Sequence, residues 1–273
     1  MKRIGVTGSK GKLGRLLLEK PNFVALDCDI TNLDSLYDEN CRKEGLGLVV
    51  NCAALSGIED CAKDYDKAIK VNVRGLANLH KVFGERVLNI SSDQVFSGKS
   101  WWLPNENTKT SPINNYGWSK VGAEAVSEVN GGKTIRLSRT VSVKDPDIQM
   151  YLRMLDHDHP IQVPSFFHRN YIHRRLAVNG IEYFANHYDD MPKIVHYGGT
   201  ENYAMDTFMN ALAYKLEYDP SLVQSRSTYE VDTKLSPRPK KGGLKVDLAK
   251  RLGFPMYSLN DTLNVLYEEY DGN

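Results

Sequence analysis

Along the first half of the chain, short apolar runs alternate with longer stretches in which apolar residues recur at helical spacing. That alternation predicts a parallel sheet covered by helices. Strands are expected over residues 4–6 and 23–26, with a helix over 12–19 between them. Thr31 or Asn32 caps a short helix that turns Leu33 and Leu36 inward. Residues 46–52 are apolar on both faces, as a central parallel strand requires. A long helix is predicted over 60–82, a strand over 86–91, a second long helix over 113–129 and a strand over 133–137. The loop over 95–112 holds Gly98, Pro104 and the pair Trp101 and Trp102.

Beyond residue 140 the regularity falls off. Helices are expected over 147–155, 176–186, 204–216, 247–252 and 259–270, with strands over 161–163 and 193–197. No internal repeat interrupts this pattern. The composition is that of a soluble globular protein, 41% hydrophobic and 25% charged, with a net charge of +1. Such a balance gives no electrostatic case for nucleic acid or a membrane surface as partner. A mean hydropathy of −0.44 and the lack of a long apolar run argue against a membrane span. Residues 3–8 already read as a strand entering a turn, so no signal peptide is expected. Cys28, Cys41, Cys52 and Cys61 form no C-x-x-C pair. They read as reduced core residues in a cytoplasmic protein.

Chemistry enters at Gly5-Val6-Thr7-Gly8-Ser9-Lys10-Gly11-Lys12-Leu13-Gly14, three glycines spaced by three between a strand and a helix. Gly8 allows the tight turn, Gly11 a close approach of backbone to a pyrophosphate, and Gly14 close helix–sheet contact. The helix N-terminus offers free N–H groups and a positive dipole end to phosphates. Asp27 and Asp29 follow about 20 positions on, after the second strand. Together these predict a doubly wound α/β fold of the Rossmann type. A nucleotide-binding domain over 1–140, with later contributions from about 165–200, would precede a smaller, partly interleaved substrate-binding region over 141–273.

Tyr116 and Lys120 lie four apart in the second long helix, so they share a face. A free tyrosine titrates near ~10, and a neighbouring ammonium favours its phenolate. Ser92, in a serine pair upstream, can hydrogen-bond a substrate oxygen that receives a proton. Each has a plainer role as well: Ser92 as the end of a strand, Tyr116 as core, Lys120 as a solvated helix residue.

With the glycine turn, Asp29-Ile30-Thr31, Asn51-Cys52-Ala53-Ala54, Ser91-Ser92-Asp93 and Tyr116-x-x-x-Lys120, the chain resembles the extended short-chain dehydrogenases/reductases. It is most similar to the dTDP-4-dehydrorhamnose reductase branch. Asn72 in a Val-Asn-Val context, Ser92-Asp93-Gln94-Val95-Phe96-Ser97-Gly98 and Pro112-Ile113-Asn114-Asn115-Tyr116-Gly117-Trp118-Ser119-Lys120 carry that likeness. The resemblance implies an enzyme reducing the 4-keto group of a nucleotide-linked 4-keto-6-deoxyhexose. Tyr116 would protonate the oxygen, Lys120 would lower the tyrosine pKa and hold the nicotinamide ribose, and Ser92 would orient the carbonyl. It places Gly8, Lys10, Gly11, Lys12, Leu13, Gly14, Asp29, Ile30, Cys52, Ala53, Ala54 and Asn72 at the cofactor, together with Tyr116 and Lys120. Ser92, Asp93, Gln94, Tyr116, Arg139 and Arg238 would face the substrate, and a homodimer is the assembly it allows.

Departures from the family pattern narrow this picture. Related sugar-nucleotide dehydratases carry an Asp-Glu pair after the serine, and an amide at Gln94 cannot be that base. Gln94 and Arg139 stand where relatives have aromatic residues, which opens the choice of sugar. Asp27 would favour NADH by repelling a 2′-phosphate, while Lys10 and Lys12 favour NADPH; the balance leans to NADPH. Two alternatives share the fold: a non-catalytic NADP-binding subunit like the β subunit of methionine adenosyltransferase, and a nucleotide-sugar epimerase. Asp156-His157-Asp158-His159 reads as a polar turn, and no metal site is expected. The basic runs His168 to Arg175 and Arg238 to Lys241 suit either a pyrophosphate or a solvated face. Trp101 and Trp102 would form a lid over the ligand or pack on the sheet edge.

Overall fold

Five strands, β1 (Arg3–Thr7), β2 (Phe23–Ala25), β3 (Leu46–Asn51), β4 (Val87–Ser92) and β5 (Lys133–Leu137), pair in parallel with an edge strand, Ile194–Tyr197. The spatial order is edge strand, β5, β4, β3, β1, β2. The computed structural model describes residues 3–38, 45–227 and 236–272, so Cys41 lies outside the described residues. The strand order reverses between β1 and β3, and ligands of open α/β sheets bind at such a switch point, beyond the strands' carboxyl ends. The glycine turn, the segment after Asn51, and Ser92 all stand on that edge.

The sheet is apolar on both faces because helices cover both. Val6, Val50, Leu88 and Ile135 are fully buried within one core, which also takes Ile181 and Phe184 from the Arg174–Asn186 helix. A second core gathers Val141, Ile148, Ile161, Phe208, Leu212 and Leu266. The chain therefore leaves the sheet after β5, builds part of the second core, and returns for the edge strand before completing it. The rings of Tyr171 and Phe208 stack with centroids 4.2 Å apart in this second core. Among the described residues no helix is long and apolar enough to cross a membrane.

One predicted element is corrected. The helix expected over 60–82 is four pieces: Ile58–Lys63, Tyr65–Ile69, a π turn at Lys70–Arg74 and Gly75–Phe83. Asp64 breaks the first junction, leaving helical geometry (φ −141°, ψ 83°) and capping the Lys67 N–H at 2.9 Å. The π turn widens the helix at Asn72, which is buried there. Periodicity hides such a break, because the apolar face continues on either side of it. The second long helix runs over Asn115–Val129, set by the Asn114 side chain accepting the Gly117 N–H at 2.8 Å.

Candidate active site

At the glycine turn, Gly8 has φ +62°, and a Cβ there would come within 2.6 Å of the Ala53 backbone nitrogen. The turn thus packs directly on the segment that follows β3. A Cβ on Gly14 would meet the Gly8 carbonyl at 2.2 Å, so the Lys12–Leu17 helix sits hard against the turn. Gly11 caps that helix without any side-chain hydrogen bond, leaving its first N–H groups without a side-chain cap. These are the features of a phosphate cradle.

The other residues expected at the cofactor divide. Lys10 is exposed on the turn, and Leu13 is packed partly against the sheet core. Lys12 reaches across to Asp145 at 2.9 Å, a buried carboxylate that also holds Arg174. Ser9 donates to Asp27 at 2.7 Å, fixing that acid beside the turn. Asp29 caps its own turn, accepting the Thr31 N–H at 2.9 Å. Cys52, Ala53 and Ala54 are half-buried just past β3, and burial pushes the Cys52 thiol up to about 12.

Two more of these residues are engaged within the protein itself. Ile30 is buried in the same core cluster as Leu26 and Leu76, and its carbonyl accepts from Asn78 at 3.0 Å. Asn72 spends its amide on the protein itself. It accepts the Leu55 N–H at 2.8 Å, and donates to the Leu55 carbonyl at 3.0 Å and to Ser119 at 2.8 Å. It therefore clips the segment after β3 to the Tyr116 helix and is a positioning residue.

Ser92, Tyr116 and Lys120 converge. Ser92 ends β4, and its hydroxyl pairs with the Tyr116 phenol. The Lys120 ammonium lies 5.8 Å from the centre of the Tyr116 ring and donates to the Ile90 carbonyl at 2.8 Å. The expected lowering of the tyrosine pKa is not found. Burial raises it above its ordinary value, the Ser92 hydrogen bond opposes that, and the Asp93 charge adds to it. Burial brings Lys120 down to about 8, opposed by Cys52, Glu124 and Cys61. Those thiols are themselves pushed up, to about 12 for Cys52 and about 11 for Cys61, so near neutral pH both are uncharged. Glu124 is the standing anion that supports Lys120.

Asp93 and Gln94, expected to face substrate, lie just behind Ser92 and are buried. Asp93 accepts from Ser138 at 3.2 Å and pairs with Arg169 at 3.3 Å. Gln94 donates to Asp93 and accepts from Asn114, both at 3.2 Å. Their polar atoms also brace the scaffold behind Ser92. Arg139 pairs with Asp147 at 2.7 Å at the rim, and Arg238 with Glu59 at 3.0 Å. Arg169 and Arg174, candidates for a pyrophosphate, are instead internal partners of Asp93 and Asp145. Asp156, in the polar turn, accepts from the Tyr218 and Tyr270 hydroxyls.

Sequence reasoning missed Asn114, Ser138 and Arg169 as organisers of the site. Only Asn114 left a signal, as an N-cap residue two positions ahead of Tyr116. The reach of Arg169 to Asp93 needs the tertiary fold.

The architecture is a Rossmann-like α/β fold, a six-stranded parallel sheet with a second core beside it. A dTDP-4-dehydrorhamnose reductase from Bacillus anthracis, solved with NADP, superposes with a TM-score of 0.85 at 21% identity, over 98% of each chain. One from Clostridium acetobutylicum gives 0.83 at 20% identity, also over 98% of each. The chain belongs to the family of the RmlD substrate binding domain, whose sequence profile matches residues 1–271. Among its relatives, a dTDP-4-dehydrorhamnose reductase from Mycolicibacterium smegmatis is 31% identical over 134 residues, 45% of this chain and 40% of that protein. A dTDP-4-keto-6-deoxy-D-glucose reductase from Streptomyces niveus is 35% identical over 137 residues, 45% of this chain and 47% of that one. The matched stretches thus span about half the length of these curated relatives.

Proposed function

We propose that the protein is an NAD(P)H-dependent reductase of the 4-keto group of a nucleotide-linked 4-keto-6-deoxyhexose. The convergence of Ser92, Tyr116 and Lys120 at the end of β4 carries this reading, on the same sheet edge as the glycine turn. The names of the relatives support the substrate class. Gly8, Gly11 and Gly14 would admit the cofactor's pyrophosphate, with Lys10 beside it. A reduced nicotinamide, when bound, supplies a hydride to the carbonyl carbon.

This chain's own residues handle the proton. The carbonyl oxygen becomes an alkoxide, a stronger base than a phenolate, so Tyr116 transfers its proton downhill. A tyrosine pKa raised by burial suits that task, because the donor stays loaded at neutral pH. Ser92 holds the oxygen within reach, and Lys120 compensates the phenolate left behind.

The direct check is oxidation of NADPH or NADH on adding a dTDP- or UDP-linked 4-keto-6-deoxyhexose, with NADPH favoured. Absence of turnover with every such sugar would remove the reading. A pH profile follows from Lys120. Its cation is present below its pKa and lost above it, so kcat/KM should fall along an alkaline limb centred near about 8. Tyr116 remains protonated through that range. A limb beginning only near 10 would show that Lys120 keeps its ordinary pKa.

A further inference from the structure

Tyr171 is 5% exposed, and its ring stacks on Phe208 in the second core. The ring is an ordinary core side chain, but its hydroxyl is not. Among the described residues that hydroxyl has no hydrogen-bond partner. The fully buried side-chain nitrogens and oxygens without a partner there belong to His80 and His196 alone. The Tyr171 oxygen therefore lies where the residue's remaining exposure is, at the wall of a space rather than inside the core. A phenol left unpaired in such apolar surroundings is costly until a partner meets it.

The chain sets that oxygen beside the reacting centre. Leu137 on β5 lies opposite Ser92 in the parallel register, and Arg139 follows two residues on, past the carboxyl end of the strand. Thr140 then pairs in parallel with Ile172, whose N–H donates to the Arg139 carbonyl at 3.1 Å. Arg139 and Tyr171 each precede that pair by one residue, so they are adjacent. Two residues before Tyr171, Arg169 holds Asp93 at 3.3 Å, directly behind Ser92. Ser138 ties both segments to the same acid, accepting the Asn170 N–H and donating to Asp93, each at 3.2 Å. Burial raises the Tyr171 pKa above its ordinary value, so the hydroxyl stays un-ionised; the charges acting on it are Arg169, Arg139, Asp147 and Asp93. The phenol thus lies between the Asp93–Arg169 pair behind Ser92 and the Arg139–Asp147 pair at the rim.

We propose that Tyr171 is a specificity-determining residue, its phenol pairing with a ring hydroxyl of the sugar whose carbonyl meets Ser92 and Tyr116. The inference rests on the reading of the protein as a 4-keto-6-deoxyhexose reductase. Such a sugar is linked through C1, oxidised at C4 and deoxygenated at C6, so it keeps hydroxyls at C2 and C3 only. A phenol both donates and accepts, and so completes a hydrogen bond with either of them. Its selection works by rejection: an analogue lacking the hydroxyl leaves the phenol unpaired in a site that excludes water.

Tyr171→Phe keeps the stacked ring and removes an oxygen that bonds nothing else described in the protein, so the unfolding midpoint should not fall. With NADPH and dTDP-4-keto-6-deoxyglucose, kcat/KM should drop by about tenfold or more. The same variant is then compared with wild type on the 2-deoxy and 3-deoxy forms of that substrate, in single turnovers where these are slow. The drop should vanish with at least one of them, because the partner of the phenol is already gone. An equal drop with all three substrates, or no drop with the parent sugar, overturns the assignment and leaves the reductase reading in place. If the wild type reduces none of the three, the reductase reading fails and the assignment falls with it.

Discussion

Tyr116→Phe should lower turnover of a 4-keto sugar by at least ~100-fold while leaving NADPH affinity intact. The substitution keeps the ring and removes one oxygen. Tyr116 is half-buried on the first turn of the Asn115–Val129 helix, so a phenylalanine fills the same space. What disappears is the proton that must reach the sugar oxygen as hydride arrives. The Ser92 hydroxyl loses one partner but still accepts the Gln94 N–H at 3.3 Å, so its place at the end of β4 survives. Steady-state kinetics with an NADPH titration separates the two effects. Turnover within a few-fold of wild type would assign the proton to another donor, and Ser92 would be the first to test.

That the pair Tyr116 and Lys120 could be found in sequence follows from its locality. Residues four apart on a helix are neighbours whatever the tertiary fold. The glycine turn was legible for a similar reason, since its demands on φ and on close packing fall on consecutive residues. The sheet strands announced themselves as short apolar runs. What stayed hidden depends on distant partners. Nothing near Gln94 shows that Asn114 and Asp93 will consume its amide. Likewise nothing near Asn72 shows that the π turn will bring it between Leu55 and Ser119. The tyrosine pKa went the other way from expectation because a spacing argument sees the lysine and not the burial.

Arg136→Ala should destabilise the fold by about 3–5 kcal/mol, measured by denaturant unfolding. Arg136 on β5 donates to both oxygens of Glu124, at 2.9 and 2.7 Å, and both side chains are buried. Ser91 donates to the same carboxylate, one residue before Ser92. The cluster thus fastens the Tyr116 helix to β4 and β5 at once. His196 on the edge strand accepts from Arg136 at 3.1 Å, and burial with the adjacent cation holds its pKa down to about 3, so it is neutral. Without the guanidinium, Glu124 would be a buried anion supported only by Ser91 and the more distant Lys120. Such a loss is a large share of the ~5–15 kcal/mol that holds a domain folded. Replacing both partners by apolar residues, Glu124→Leu with Arg136→Met, should recover much of it, because neither charge is then stranded. A cost below about 1 kcal/mol for Arg136→Ala would mean that Glu124 takes up a proton or reaches water. The milder Glu124→Gln separates stability from function. It removes the anion that keeps Lys120 charged, so the alkaline limb of kcat/KM should move below about 8 even in folded protein.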